Sequence, residues 1–289
     1  MIIVRLLGGL GNQLFQYAAA RAVALRHGQE LRFDVSGFDS LPERSYRLHH
    51  FPIEGRPLEA GELQALGLKG LHSPWGRLKR RLGVKPALPM IVEQHFHFDP
   101  SLERAPAHCY LSGYWQSPRY FAGIEPRIRK ELQVQAPLSD RTLELAQRIA
   151  ESESVAVHVR RGDYISNPAA ASWHGTCGSE YYATAERLLL KSLPVARAFV
   201  FSDEPAWAAG NLRLSMPTTF VSHNPPDRDY EDLHLMAQCK HHIIANSTFS
   251  WWGAWLGTHP AKFVVAPRVW FRGADHRVDD LIPSQWNRA

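Results

Sequence analysis

The chain has 289 residues, of which 45% are hydrophobic and 21% charged, with a formal net charge of +5. That balance excludes a disordered or fibrous protein and allows one large domain or two medium ones, each with a real core. The mild basic excess suits an anionic partner such as a nucleotide or phosphosugar; Arg77, Lys79, Arg80, Arg81 and Lys85 cluster without a nucleic-acid motif, so no nucleic-acid partner is expected.

In chain order, the apolar run 2–7 predicts a strand. A glycine-rich turn follows at 8–13, then a helix over 14–27 with Leu14, Ala18, Ala22 and Leu25 at near-helical spacing. Gly28 ends it, and 31–35 is a second strand, completing a β-α-β unit. Residues 36–90 are rich in Pro, Gly, His and Arg and predict loops with short helices near 59–66 and 76–82. Strands are expected at 91–98 and 109–115. A helix over 118–132 is expected to break at Pro126, and a better one spans 138–150, with Ser139 as N-cap and Leu143, Ala146 and Ile149 as its apolar face. From there strands at 155–160, 198–202, 219–222, 242–245 and 263–266 alternate with helices at 180–190, 205–210, 230–239 and 251–256. Such alternation predicts an α/β fold with parallel sheets covered by helices on both faces. Two Rossmann-like units are expected, 1–150 with a loop-rich insertion at 36–90, and 151–289. Ligands of such sheets sit beyond the carboxyl ends of the strands.

Four stretches carry candidate chemistry. Gly8-Gly9-Leu10-Gly11-Asn12-Gln13 is like a dinucleotide fingerprint, with Asp34 ending the next strand. Leu14 stands where the third glycine belongs, which makes an NAD-dependent oxidoreductase the weaker alternative. Gly9 and Gly11 still let a ligand approach the backbone, and Asn12 and Gln13 offer amides; a simple tight turn is the plain alternative. His158 to Tyr164 leaves a strand end with His158 and Arg160 on one face, and Arg160 and Arg161 suit a diphosphate. Asp163 is placed to hold an arginine or accept a proton. Asp203, at the next strand end, suits the N1–H and N2 amine of a guanine, or a helix cap. In Ala245 to Gly253 a strand runs through a polar turn into a helix start. Its N–H groups and the hydroxyls of Ser247, Thr248 and Ser250 suit a phosphate, with capping as the rival reading. Trp251 and Trp252 cannot share one helix face, so at least one belongs to the core.

No metal site is expected. Asp227-Arg228-Asp229 has a D-x-D form but leads into a helix, where Asp229 suits the N-cap, and the His pairs do not converge by spacing. Cys109, Cys177 and Cys239 are odd in number and far apart, neither a disulfide framework nor a zinc pattern, which points to a reducing cytoplasm. The N-terminus lacks a signal-peptide plan, and no run approaches the roughly 20 apolar residues of a membrane span. At most, the Arg77–Lys85 cluster beside Trp75 and Leu78 touches an anionic inner-membrane surface; a solvated loop is the plainer reading.

Taken together, Gly8 to Tyr17, His158 to Tyr164, Phe201 to Glu204, and Asp232 to Leu256 resemble the bacterial α-1,2-fucosyltransferases of glycosyltransferase family 11. The resemblance implies a GT-B fold, two facing Rossmann-like domains with a donor cleft. It implies GDP-β-L-fucose as donor, the 2-hydroxyl of a terminal β-galactoside as acceptor, inversion to an α-linkage, no metal or other cofactor, and a role in surface polysaccharide or O-antigen synthesis. By similarity Arg160 grips the diphosphate, while Ser247, Thr248 and the Phe249 N–H hold the β-phosphate. Asp203 reads guanine, His158 lines the nucleotide pocket and Asn12 approaches the phosphates or the fucose. Asp163 organises the arginines, and Gly9, Gly11, Gln13 and Asn246 complete the donor set. The base stays open among Asp163, Glu180, Asp34 and His158. A silent nucleotide-sugar or glycan-binding protein on the same fold is the alternative from another class; Arg160 and Asp163 argue against it.

Overall fold

The computed structural model describes residues 1–289 except 41–43, 74, 77, 79–81, 83–86, 167, 174 and 273–277, with the backbone alone described at 40, 163, 166 and 168–170. The basic residues Arg77, Lys79, Arg80, Arg81 and Lys85 therefore lie outside the described residues. Two compact units divide the chain, Met1–Leu132 and Gln133–Ala289. The division falls before residue 150 because the helix Asp140–Ala150 packs in the second unit. Its Leu145 and Ile149 share a core with Phe199, Phe201, Leu235 and Met236, and Ser139 donates to Glu231 through both its N–H and its hydroxyl. Its buried face is Thr142, Leu145 and Ile149; Leu143, expected inside, is 52% exposed.

In the first unit, β1 (Ile2–Arg5), β2 (Leu31–Asp34), β3 (Arg56–Pro57), β4 (Met90–Val92) and β5 (Cys109–Ser112) form one parallel sheet in the order β3-β2-β1-β5-β4. Ile2, Ile3 and Val4 are fully buried, as a central parallel strand covered on both faces requires. The helix Leu10–His27 starts four residues before the apolar periodicity does. Gly9 is its extended N-cap, and Gly28, at φ 59°, closes it by donating to Ala24 and Leu25 carbonyls. Pro126 does not break a long helix: it sits in the first turn of Glu125–Glu131, where a missing N–H costs nothing. The stretch before it is a separate 3-10 segment, Pro118–Ile124, with non-helical backbone at Phe121.

The second unit carries β6 (Ser154–Val159), β7 (Arg197–Ser202), β8 (Thr218–Phe220), β9 (His241–Ile243), β10 (Val264–Ala266) and β11 (Asn287–Arg288), again all parallel, in the order β11-β10-β9-β6-β7-β8. Counted from β6, this is the doubly wound order 3-2-1-4-5-6 read from the other edge. The direction of winding reverses between β6 and β9, so a crevice is expected beyond their carboxyl ends. The helix Thr248–Leu256 leaves that edge, with Trp251 and Trp252 both fully buried and the Trp251 indole N–H donating to the Leu281 carbonyl at 2.8 Å. Among the described residues no helix is long and apolar enough to cross a membrane.

Candidate active site

The groups predicted to hold a diphosphate gather at the β6/β9 reversal. Arg160 follows β6, and its Nη1 lies 3.2 Å from Asp203 Oδ2. Asp203 Oδ1 accepts the Arg161 N–H at 3.0 Å. Asp203 thus locks the arginine loop to the end of β7, with each carboxylate oxygen engaged by that loop. Gly162 makes this possible, since a Cβ there would stand 2.5 Å from Asp203 Oδ2. Arg161 turns elsewhere. Its Nε meets Glu204 Oε2 at 3.2 Å, and its guanidinium lies 3.5 Å from the Trp207 ring centroid, a charge pair on a cation–π seat. Among the described residues, Asp203 and Glu204 are carboxylates that hold the two arginines. Asp163 lies in the short helix Gly162–Ser166, and its side chain is outside the described residues.

Arg160 is linked onward to the opposite wall. Its guanidinium lies 5.4 Å from the Tyr164 ring centroid, and the Tyr164 hydroxyl donates to the Asn246 carbonyl at 3.2 Å. Asn246 is buried. Its amide donates to the carbonyls of Gly175 at 3.1 Å and Trp270 at 3.2 Å, so its side chain braces the turn from beneath. Ser247 occupies the N-cap position of Thr248–Leu256 but makes no side-chain cap hydrogen bond. Capping, the rival reading, thus fits its place and not its hydroxyl. Ser250, expected to add a third hydroxyl, instead donates back to the Ser247 carbonyl at 3.2 Å. Facing an anion at this turn are the Ser247 hydroxyl, the first-turn backbone at Thr248 and Phe249, and the positive end of a nine-residue helix.

His158 sits beneath, its ring 5.8 Å from that of Phe249. Burial, and then the charge of Arg160, push it down to about 3, so it is neutral at pH 7. Its Nδ1 is buried without a hydrogen-bond partner among the described residues. A ring so weakly basic lines a pocket better than it takes a proton. Asp34 is likewise poorly placed to be a base. It is fully buried, accepting from the Ser36 N–H at 3.0 Å and from the Tyr110 hydroxyl. Glu180 is exposed in the first turn of Ser179–Leu190.

The glycine turn belongs to the first unit. Gly8 has φ 74°, and a Cβ there would meet Asn12 Nδ2 at 2.5 Å, so Asn12 folds back over a backbone only glycine provides. Gly9 opens the helix and Gly11 is buried in its first turn. Gln13 is fully buried; its amide donates to the Gly8 and Ser45 carbonyls and accepts the Arg47 N–H, so it shapes the turn. Arg44 was not legible in the loop-rich stretch. Its guanidinium lies against Gly9, with Nη1 3.2 Å from where a Cβ would stand. Asp229, expected as an N-cap, is the first helical residue after an Arg228 cap, and it makes the first turn of Asp229–Gln238 acidic together with Glu231 and Asp232. Asp232 opens the last of the matching stretches, where the resemblance implies no role for it. Its carboxyl accepts from Asn224 at 2.7 Å, and burial raises it to about 7.

These buried groups set an acid response. His158 at about 3, and His242, fully buried and pushed well below its usual value, each bind a proton below about pH 6.5 only when the chain unfolds. That stability is present above pH 6.5 and is lost as pH falls toward the folded values. Asp232 acts oppositely: its folded form takes up a proton near 7 and gains stability on acidification. His223, His234 and His241 are lowered as His158 and His242 are, against only Asp232 and Glu93 raised among the described carboxyls, so the unfolded chain binds more protons and stability should fall as the pH drops below about 6.5. Urea unfolding at half-unit steps measures it; a profile rising toward acid would contradict these assignments.

Comparisons with known proteins give the chain a family. The model of the family described as glycosyl transferase family 11 matches residues 99–287. The chain is 34% identical over 285 residues to the O-antigen biosynthesis glycosyltransferase WbnK of Escherichia coli, covering 92% of this chain and 93% of that one. It is 31% identical over 297 residues to the alpha-1,2-colitosyltransferase of Escherichia coli, covering 100% and 98%. The solved fucosyltransferase NodZ from Bradyrhizobium shares the fold, with a TM-score of 0.52 at 15% identity over 88% of this chain and 91% of that one. With a parallel α/β scaffold, an arginine anchored at the β6 end and a family match over most of its length, the chain belongs to glycosyl transferase family 11.

Proposed function

We propose that this glycosyltransferase moves L-fucose from GDP-β-L-fucose to the 2-hydroxyl of a terminal β-galactoside, with inversion and without a metal, in O-antigen or related surface glycan synthesis. The observation that carries it is the pairing of Arg160, clamped by Asp203, with a helix start whose own N-cap hydroxyl leaves it unanswered. In the reaction the C1–O bond to the β-phosphate breaks and its electron pair stays on GDP. The galactose oxygen forms the new bond from the opposite face and releases its proton. The developing charge is on the diphosphate, and a guanidinium and helix amides fixed beforehand are suited to stabilise it. The free thiols Cys109, Cys177 and Cys239 suit a reducing cytoplasm.

The relatives' names favour an α-1,2 linkage and leave two donors to compare, since colitose is fucose without its 3-hydroxyl. The test incubates the protein with lactose and either GDP-fucose or GDP-colitose in EDTA. Fucosyl-lactose, cleaved by an α-1,2-specific fucosidase, is the expected product. No transfer to a panel of galactosides sinks the enzyme reading and favours a binding protein. A requirement for Mn²⁺ sinks the metal-free part, and preference for GDP-colitose replaces the donor.

A further inference from the structure

The first unit has its own reversal of strand order, between β1 and β5. The Gly8–Asn12 turn follows β1 and residues 113–117 follow β5. This second loop adopts a shape the chain would not choose unaided. Trp115 has φ 54°, the sole non-glycine residue with a positive value among the described residues. A bulky side chain avoids that region, and such outliers persist only where the surroundings over-determine them. Its indole N–H is buried with no hydrogen-bond partner among the described residues. Glu93, just past β4, supplies the over-determination: Oε2 accepts the Tyr114 N–H at 2.7 Å and Oε1 the Trp115 N–H at 2.9 Å. Gly113 leaves it room, because a Cβ there would stand 2.4 Å from Glu93 Cβ. Trp115 anchors the underside, its ring edge-on to Tyr120 at 5.7 Å.

The held shape displays two things. Tyr114 is 40% exposed. Gln116 turns inward and its Nε2 donates to Asn12 Oδ1 at 3.0 Å, joining the two loops across the strand reversal. An exposed aromatic ring and, two residues on, an amide pair tied to the same loop are the two parts a sugar site uses. The ring covers the apolar C–H face of a galactose, and the planar amides match adjacent hydroxyls. We infer that residues 113–117 form the acceptor subsite, with Tyr114 as its stacking platform, the Gln116–Asn12 pair as its hydroxyl reader, and Glu93 as the positioning residue that holds both in place. The inference rests on the galactoside transfer proposed above and names the side chains that would select its acceptor.

Lactose binding to the full chain in the presence of GDP, followed by saturation-transfer NMR, tests it beside the acceptor KM. Tyr114→Ala should weaken lactose binding about tenfold and leave GDP affinity unchanged, while Tyr114→Phe keeps both. Glu93→Gln, which retains shape but turns an NH2 donor toward one of the two N–H groups and so leaves it without an acceptor, should raise the acceptor KM with little change in kcat. Lactose affinity unaltered in Tyr114→Ala overturns the subsite while leaving the transferase reading intact. So does a Glu93→Gln protein that loses GDP and lactose affinity alike, since that is a folding role. A wild-type protein that binds GDP and no galactoside overturns both readings of the acceptor.

Discussion

Arg160→Ala is expected to lower turnover by about 10²–10³-fold, the usual cost of removing one preorganised donor from a developing oxyanion. The side chain is only 20% exposed and already aimed, with Nη1 3.2 Å from Asp203 Oδ2, so little reorganisation is needed when charge builds on the departing diphosphate. That charge is larger in the transition state than in the bound donor, so kcat should fall further than GDP affinity. Arg160→Lys keeps a cation but not a planar, multi-donor group that reaches Asp203 and the donor together, and it should fall between wild type and alanine. Single-turnover rates with GDP-fucose, beside calorimetric GDP binding, separate the two effects. Turnover near wild type in the alanine variant would remove Arg160 from the mechanism, and equal losses in kcat and GDP affinity would make it a binding residue only.

The contrast between Arg160 and its neighbours shows what the sequence could disclose. Strand–turn–helix alternation made both parallel sheets readable, because a buried parallel strand is an apolar run and its crossover helix has a different period. Strand ends located His158, Arg160 and Asp203. Their roles were another matter. Asp203 as an orienting carboxylate depends on a glycine at 162 and on the Arg161 N–H, and a motif records neither distance. Gln13 and Asn246 are polar residues inside motifs, which invites a ligand reading, yet both satisfy neighbouring backbone groups. Glu93 and Gln116 lie outside any motif singled out, and their importance appears only when β4 and β5 come side by side. β3 and β11 are two residues long and carry no periodicity to detect.

The largest stability loss is expected away from the diphosphate groups, at Glu131→Ala. Glu131 is buried and accepts from the Tyr17 hydroxyl at 2.6 Å, from Arg21 Nη2 at 2.8 Å and from Arg21 Nε at 3.1 Å. Burial, and then this carboxylate, raise the Tyr17 phenol above its usual range. Tyr17 also accepts the Glu54 N–H at 3.1 Å, so one carboxylate ties the middle of Leu10–His27 to a loop and to the helix Glu125–Glu131. Truncation leaves the Arg21 charge buried without its partner, and about 3–5 kcal/mol should be lost, a large share of the roughly 5–15 kcal/mol that holds a domain together. Glu131→Gln should cost less, because it keeps the Tyr17 contact. Replacing the pair, as in Arg21→Met with Glu131→Leu, should recover most of the loss, since a buried ion pair is worth little against well-packed apolar groups. Urea denaturation of the two single variants and the pair decides the matter. Additive losses would show that Arg21 and Glu131 act independently. Coupling of several kcal/mol would show that the helix beginning at the Gly8–Asn12 turn is fixed at its midpoint by this one buried charge.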